Sequence, residues 1–320
     1  MRILTLAAVL LLTVALGAQV KVGAGDPAPV FKGKWFNHAN TSLEDLEGKV
    51  VFLDVWRTWC GPCTAQIPHL NTLSKEYESK GLVVVGITTE SKSLVTKHIE
   101  KHRMKFPIAI VESDEERNYG ITGFPTSLLI DTDGTILWRG HPAAFEREFS
   151  ENDLEKVLAR ARVFPEVPSR YGTVKKNIDK GALGKAWIEA EKKLAKDSSI
   201  GELVAVQDRI VEMVNSRMEQ AAEAMDEEAF GEACLIYEEI VADFSGMAEA
   251  EQAATKIDEL EADALCAKDI KAAKKFESAM KSWRDGKFDK ALKGLRSVAK
   301  QFEGTSTAYR AEELIDKHGD

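Results

Sequence analysis

Short runs rich in Val, Ile, Leu and Phe recur at 50–56, 82–89, 106–111 and 126–131, and helical patterns separate them at 61–80, 91–104 and roughly 115–120. Runs of this length and composition read as strands. Strands alternating with helices predict a largely parallel central sheet with helices on both faces. A last helix over 151–162 is expected to close this α/β unit. Phe164-Pro165-Glu166-Val167-Pro168 then breaks the pattern. Neither proline extends a helix, and each biases the residue before it toward extended backbone.

Beyond Tyr171 no strand-like run appears, and Ala, Glu, Lys and Leu dominate. Two segments align at a constant offset of 58 positions: Phe230 with Phe288, Ala233 with Ala291, Phe244 with Phe302, Gly246 with Gly304, Ala253 with Ala311 and Ile257 with Ile315. Each unit reads as a helix, a glycine-bearing turn and a second helix. A weaker relative lies near Leu183-Gly184-Lys185-Ala186-Trp187. The pattern resembles tetratricopeptide-type hairpins, at a longer spacing than their usual period of about 34 and with an incomplete consensus. The chain is therefore expected to divide into a leader at 1–17, an α/β domain at 18–164 and an all-helical repeat domain at 165–320. Each of the two domains is expected to carry its own core and fold alone.

The chemistry concentrates at Trp59-Cys60-Gly61-Pro62-Cys63, where a strand-like run gives way to a helical pattern. Two thiols at i, i+3 can close into a small disulfide and reopen without unfolding anything. The free N–H groups and the dipole at a helix start favour an anion. A thiolate is such an anion, so the first thiol should titrate well below its free value of about 8.5. Cys60 then acts as nucleophile and Cys63, one turn deeper, resolves the mixed disulfide. Half of a zinc site is the competing reading. It fails for want of ligands: Cys234 and Cys266 lie more than 170 residues away and are not a second Cys-x-x-Cys pair.

The run from Gly48 through Val50-Val51-Phe52-Leu53-Asp54 to Cys63 resembles the thioredoxin superfamily, and within it the TlpA/ResA-type extracytoplasmic thiol–disulfide oxidoreductases. Asp26-Pro27-Ala28-Pro29 and Ser42 to Lys49 resemble that branch's entry segment. Tyr119-Gly120-Ile121-Thr122-Gly123-Phe124-Pro125-Thr126 resembles its cis-proline loop, and Asp131-Thr132-Asp133-Gly134-Thr135 the hairpin turn that follows. The likeness spans about residues 25–162. It implies a thioredoxin fold and catalytic roles for Cys60, Cys63, Asp54 and Pro125. Asp54 would be a buried carboxylate beneath the active-site helix, its pKa raised, taking the proton from Cys63. Substrate would be held by Trp59, Gly61, Pro62 and Phe124. Arg57 departs from the small residue common at its position, and two readings stand: a positive charge near Cys60, or a side chain in solvent.

Met1-Arg2 and the apolar run Ile3 to Leu16, ending in small residues, describe a secretory signal peptide cleaved after Gly17 or Ala18. The mature chain is expected to be exported, to the periplasm or another extracytoplasmic space, with no membrane span. Export makes disulfide exchange an everyday task. With only four cysteines the fold must rest on apolar cores, for which 44% hydrophobic residues suffice. The net charge of −9 argues against nucleic acid. Within the helical half, 202–263 carries 18 acids against 3 basic residues, and 264–320 carries 13 basic residues against 9 acids. Solvated helix faces and mutually complementary hairpins both account for that split.

His98 and His102, at i, i+4, read as incidental residues of a surface helix, lacking a third metal ligand. Cys234 and Cys266 read as small buried hydrophobes, with a bridge between them left open. No metal or bound cofactor is expected. The predicted activity is reduction of protein disulfides through Cys60 and Cys63, with an upstream dithiol protein as electron source and a protein partner on the helical repeats. A thiol peroxidase of the same fold is the rival enzyme, although Thr58 stands only two positions before Cys60. A helical-repeat adaptor with a secondary redox site is the rival outside catalysis.

Overall fold

The computed structural model describes residues 22–37, 46 and 48–319. The leader expected at 1–17 and part of the entry segment at 42–49 lie outside those residues. Among the described residues, strands β1 (Gly33–Phe36), β2 (Val50–Val55), β3 (Leu82–Thr88), β4 (Ile108–Val111), β5 (Thr126–Ile130) and β6 (Ile136–Gly140) form one six-stranded sheet in the order β1-β4-β3-β2-β5-β6. β2, β3 and β4 pair in parallel, while β1, β5 and β6 join antiparallel. The sheet is thus mixed, and its parallel pairing is confined to the three central strands. β1 was not foreseen as a strand, and β6 was implied only by the hairpin turn expected at 131–135. Both are edge strands with partly exposed side chains, so neither carries a dense apolar run.

Among the described residues, five helices accompany the sheet: α1 (Gly61–Tyr77), α2 (Lys92–His102), α3 (Ser113–Arg117), α4 (Phe145–Glu148) and α5 (Glu151–Leu158). Every residue of β2 is buried, because both faces of the sheet are covered. Its side chains alternate between two cores. Val50 and Phe52, with Trp56 just beyond the strand, join Cys60, Cys63, Ile67 and Leu70, and also Val95, Phe145 and Leu154. Val51, Leu53 and Val55 join the opposite core.

The helical half comprises α6 (Gly172–Asp179), α7 (Leu183–Leu194), α8 (Gly201–Asp226), α9 (Phe230–Asp243), α10 (Ala248–Ala262), α11 (Ala264–Arg284), α12 (Phe288–Gln301) and α13 (Ser306–His318). The repeat read from the sequence is α9–α10 against α12–α13, with Gly246 and Gly304 in matching left-handed turns. The unit is larger than that reading. α8 and α11 precede it equivalently, each followed by a left-handed residue, Glu228 or Gly286. Buried Asp269 of α11 ties the hairpins together. It accepts the N–H groups of Gly231 (2.8 Å) and Thr307 (3.0 Å) at the starts of α9 and α13, and the Ser306 hydroxyl (2.6 Å). Lys274 to Glu238 and Arg310 to Glu232 pair the basic helices with the acidic ones.

Two separate cores were expected, and the structure corrects this. Phe276, Met280, Trp283, Leu295, Val298 and Leu314 form one buried cluster with Val51, Leu53, Val55, Val85, Ile87, Leu128 and Ile130. Helices α11 to α13 therefore close the second face of the sheet, where α3 is too short to cover it. A further cluster, from Val167 to Ile270, fills the rest of the helical half. Polar contacts reinforce the junction. The Val30 N–H donates to the Arg284 carbonyl (2.9 Å), and Lys317 Nζ donates to Asp26 Oδ2 (2.7 Å), with His318 Nε2 3.3 Å from Oδ1. Burial pushes the Asp26 carboxyl up, but bonds from His318, Lys317 and the Gly23 N–H outweigh it and hold Asp26 below the usual carboxylate range. At the other end, Arg209 of α8 donates to the carbonyls of Leu158 (2.9 Å), Ala161 (2.6 Å) and Val163 (3.2 Å) at the end of α5 and in its exit, the first two of which also accept the Ala161 and Val163 N–H groups. No described helix is long and apolar enough to cross a membrane.

Candidate active site

β2 leads through Trp56 to Trp59 into the N-terminus of α1, and Cys60 is the residue that caps that helix. Its extended backbone (φ −82°, ψ 104°) turns its sulfur over the first turn, where it accepts the Cys63 N–H at 3.1 Å. Pro62 lies in that first turn, where a missing N–H removes no helical bond. Cys60 and Cys63 are joined as a disulfide, with Cα atoms 5.3 Å apart. Both are nearly inaccessible, at 4% and 3% exposure, so burial alone does not distinguish them.

Asp54 lies on β2 in register with Ser127 of β5. Strand alternation points it to the face of Phe52 and Trp56, the face that packs on α1 and the two cysteines. It is 2% exposed. Burial pushes its carboxyl up to about 7, against the downward pull of the Ser127 hydroxyl, which donates to Oδ1 at 2.6 Å. A carboxyl titrating there can exchange a proton near neutral pH.

The Phe124–Pro125 peptide bond is cis. Phe124 packs against both sheet cores and stands edge-on to Trp59, ring centroids 5.8 Å apart. Trp59 is 71% exposed, an unusual position for so large an apolar side chain. The structure thus gathers Trp59, the disulfide and the Phe124-Pro125 loop at one end of the sheet. Gly61 stands at the helix start with open space where a Cβ would be.

Neither reading of Arg57 anticipated its surroundings. Arg57 is 8% exposed. Its Nη2 donates to both carboxylate oxygens of Glu116 (2.6 and 2.7 Å) and its Nη1 to the Trp56 carbonyl (2.8 Å). Next to it, Glu90 accepts from the Thr58 N–H (2.6 Å) and hydroxyl (2.7 Å). Glu90 and Glu116 were missed, and no short-range signal could have revealed contacts across 32 and 59 positions.

His98 also departs from expectation. It is buried, with its ring 5.1 Å from Trp56 and 4.3 Å from His102, and burial followed by His102 lowers its pKa. Cys234 and Cys266 are both free and buried. Burial, with Glu238 adding to it, pushes the Cys234 thiol up to about 11, and burial also raises Cys266. Neither is primed for exchange. Among the described residues no group of three His, Cys, Asp or Glu could hold a metal ion.

The chain is similar in sequence to known proteins. A family model described as Redoxin matches residues 23–158. The thiol–disulfide oxidoreductase ResA of Bacillus thuringiensis subsp. konkukian is 34% identical over 144 residues, which cover 44% of this chain and 80% of the relative. ResA of Geobacillus thermodenitrificans is 35% identical over 138 residues, covering 40% of this chain and 79% of the relative. Among solved structures, a thiol:disulfide interchange protein of the thioredoxin family from Chlorobium tepidum TLS is 25% identical, with a TM-score of 0.35, and the match covers 42% of this chain and 97% of that one. A helix-capping Cys-x-x-Cys disulfide on a mixed sheet, in a chain that matches most of the length of the ResA relatives, makes this protein a member of the ResA-type thiol–disulfide oxidoreductases of the thioredoxin superfamily.

Proposed function

We propose that this oxidoreductase is exported and works as a reductase of protein disulfides. The observation that carries the reading is the helix-capping sulfur of Cys60, bonded to the Cys63 N–H, on the sheet face that also buries Asp54. In the reduced protein the Cys60 thiolate attacks one sulfur of a substrate disulfide. A mixed disulfide forms and one substrate thiolate leaves. Asp54 accepts the Cys63 proton, and the Cys63 thiolate attacks the Cys60 sulfur. The second substrate thiolate leaves, the Cys60–Cys63 disulfide closes, and two electrons have passed to the substrate. Another dithiol protein restores the reduced state.

Trp59 and Phe124, with the Pro125 backbone beside them and Gly61-Pro62 at the helix start, line the cleft for the substrate chain. The Gly61-Pro62 dipeptide, like that of reducing thioredoxins, favours reduction over oxidation. The apolar run Ile3 to Leu16 supports export. The boundary at 164/165 separates two tasks and two sequence patterns, with a core that continues across it. The hairpins of 165–320, tetratricopeptide-like in plan, serve partner choice. The peroxidase alternative finds less support, since the Thr58 hydroxyl is committed to Glu90.

The test is the pre-reduced full-length protein mixed with a disulfide-bonded peptide. One protein disulfide should form for each peptide disulfide reduced, and Cys60→Ser should abolish the exchange. Retained exchange in that variant, or rapid consumption of hydrogen peroxide by the native protein, would refute the assignment.

A further inference from the structure

Arg57 occupies a place that neither the cysteine chemistry nor the fold alone accounts for. Its backbone belongs to the cysteine loop, since the Cys60 N–H donates to the Arg57 carbonyl at 3.2 Å. Its side chain belongs to the opposite wall, because the guanidinium lies 4.2 Å from the centroid of the Phe124 ring. Trp59 meets the same ring edge-on. Phe124 is therefore held on one side by Arg57 and on another by Trp59, the two residues that flank Thr58. Glu116, itself only 13% exposed at its side chain, takes both of its contacts from one guanidinium nitrogen. A buried guanidinium is costly unless paired, and here the pair also holds the group beside the ring. A cation over an aromatic face at this distance adds its own attraction.

We propose that Arg57 is a positioning residue that acts through Phe124. Oriented by Glu116, it locks the cysteine loop to the Phe124-Pro125 loop and so sets the width of the cleft that receives a polypeptide disulfide. The chemical step at Cys60 does not require it; the affinity for an extended substrate does. The proposal rests on the reading above that Trp59 and Phe124 line the substrate cleft. It predicts a difference between arginine and lysine. Lysine keeps the charge for Glu116 but has no flat group to lie against the ring.

The experiment is steady-state reduction of a disulfide-bonded peptide by the full-length chain and its Arg57→Ala, Arg57→Lys, Phe124→Leu and Arg57→Ala/Phe124→Leu variants. Thermal melts establish that each is folded. Arg57→Ala should raise KM five- to tenfold while kcat falls less than twofold. Arg57→Lys should recover less than half of that rise. The double variant should be no worse than Phe124→Leu alone, because both changes remove one coupling. Should Arg57→Ala not fold, Arg57→Lys takes its place in the cycle with Phe124→Leu. An unchanged KM, full rescue by lysine, or effects that multiply in the double variant would overturn the proposal. Cys60→Ser run alongside separates the two levels: activity surviving there overturns the reading of the site, whatever Arg57 does.

Discussion

Cys60 and Cys63 are equally hidden from solvent, so the difference in reactivity proposed for them has to come from the backbone. Cys60 caps α1 and receives an N–H, whereas Cys63 lies inside the helix. In the reduced protein at neutral pH, iodoacetamide should therefore modify Cys60 at least about tenfold faster than Cys63. Peptide mapping of partially alkylated protein measures this, and equal rates would remove the basis for their separate roles. Asp54 gives a pH signature. The folded protein keeps its proton up to about pH 7, whereas the unfolded chain loses it near 3.8. Between those values the folded state binds the extra proton, so this group makes stability fall as pH rises. The full effect is on the order of 4 kcal/mol, reached above about pH 7. Asp54→Asn lacks that slope. Its stability advantage in urea unfolding should be near zero at pH 4, grow through pH 5.5 and level off above pH 7, while its mixed disulfide resolves more slowly. A pH-independent difference would place Asp54 outside this linkage. At this scale the sequence was legible where structure is local: the Cys60–Cys63 disulfide and the cis bond at Pro125 stand in contiguous motifs, and the burial of Asp54 is announced by the apolar strand around it. Arg57 was illegible because its meaning lies in Glu116 and Phe124, which only folding brings to it.

Among the elements, the strands buried on both faces were legible because burial on both faces forces a continuous apolar run. β1 and β6, half-exposed at the edges, left no such run. The repeat was legible because matching positions fill matching places, but α8 and α11, whose sequences differ more, were not recognised as its first members. Close helix approach gives this level its own test. Gly184 of α7 faces the backbone of Phe244 and Ser245, and a Cβ there would collide with it. Gly201 at the start of α8 has nothing within 4 Å of such a Cβ. Gly184→Ala should cost about 1–3 kcal/mol in thermal or urea unfolding. Gly201→Ala should change stability by less than about 0.5 kcal/mol. Equal effects at the two positions would mean that α7 does not press on the α9–α10 turn.

For the molecule as a whole, the repeat alignment read the segments of α12 and α13 as helices, but a repeat cannot say what a helix face meets. The expectation of two separate cores does not hold there, since Trp283, Phe276 and Leu295 share a core with Leu53 of β2 and Val85 of β3 across the junction. Residues 18–165 expressed alone should expose that sheet face, bind a hydrophobic dye and melt without a sharp transition. Trp283→Ala in the full chain should cost about 3–5 kcal/mol and lower the unfolding of both halves together. A sharp, native-like melt of the isolated piece would contradict the shared core. The function asks the same whole chain for one decisive measurement. Reduced full-length Cys63→Ser protein, mixed with a disulfide-bonded peptide, should gain the mass of one peptide half, held by a bond to Cys60 and released by dithiothreitol. No stable adduct, or an adduct on Cys234 or Cys266, would contradict exchange through the helix-capping thiol.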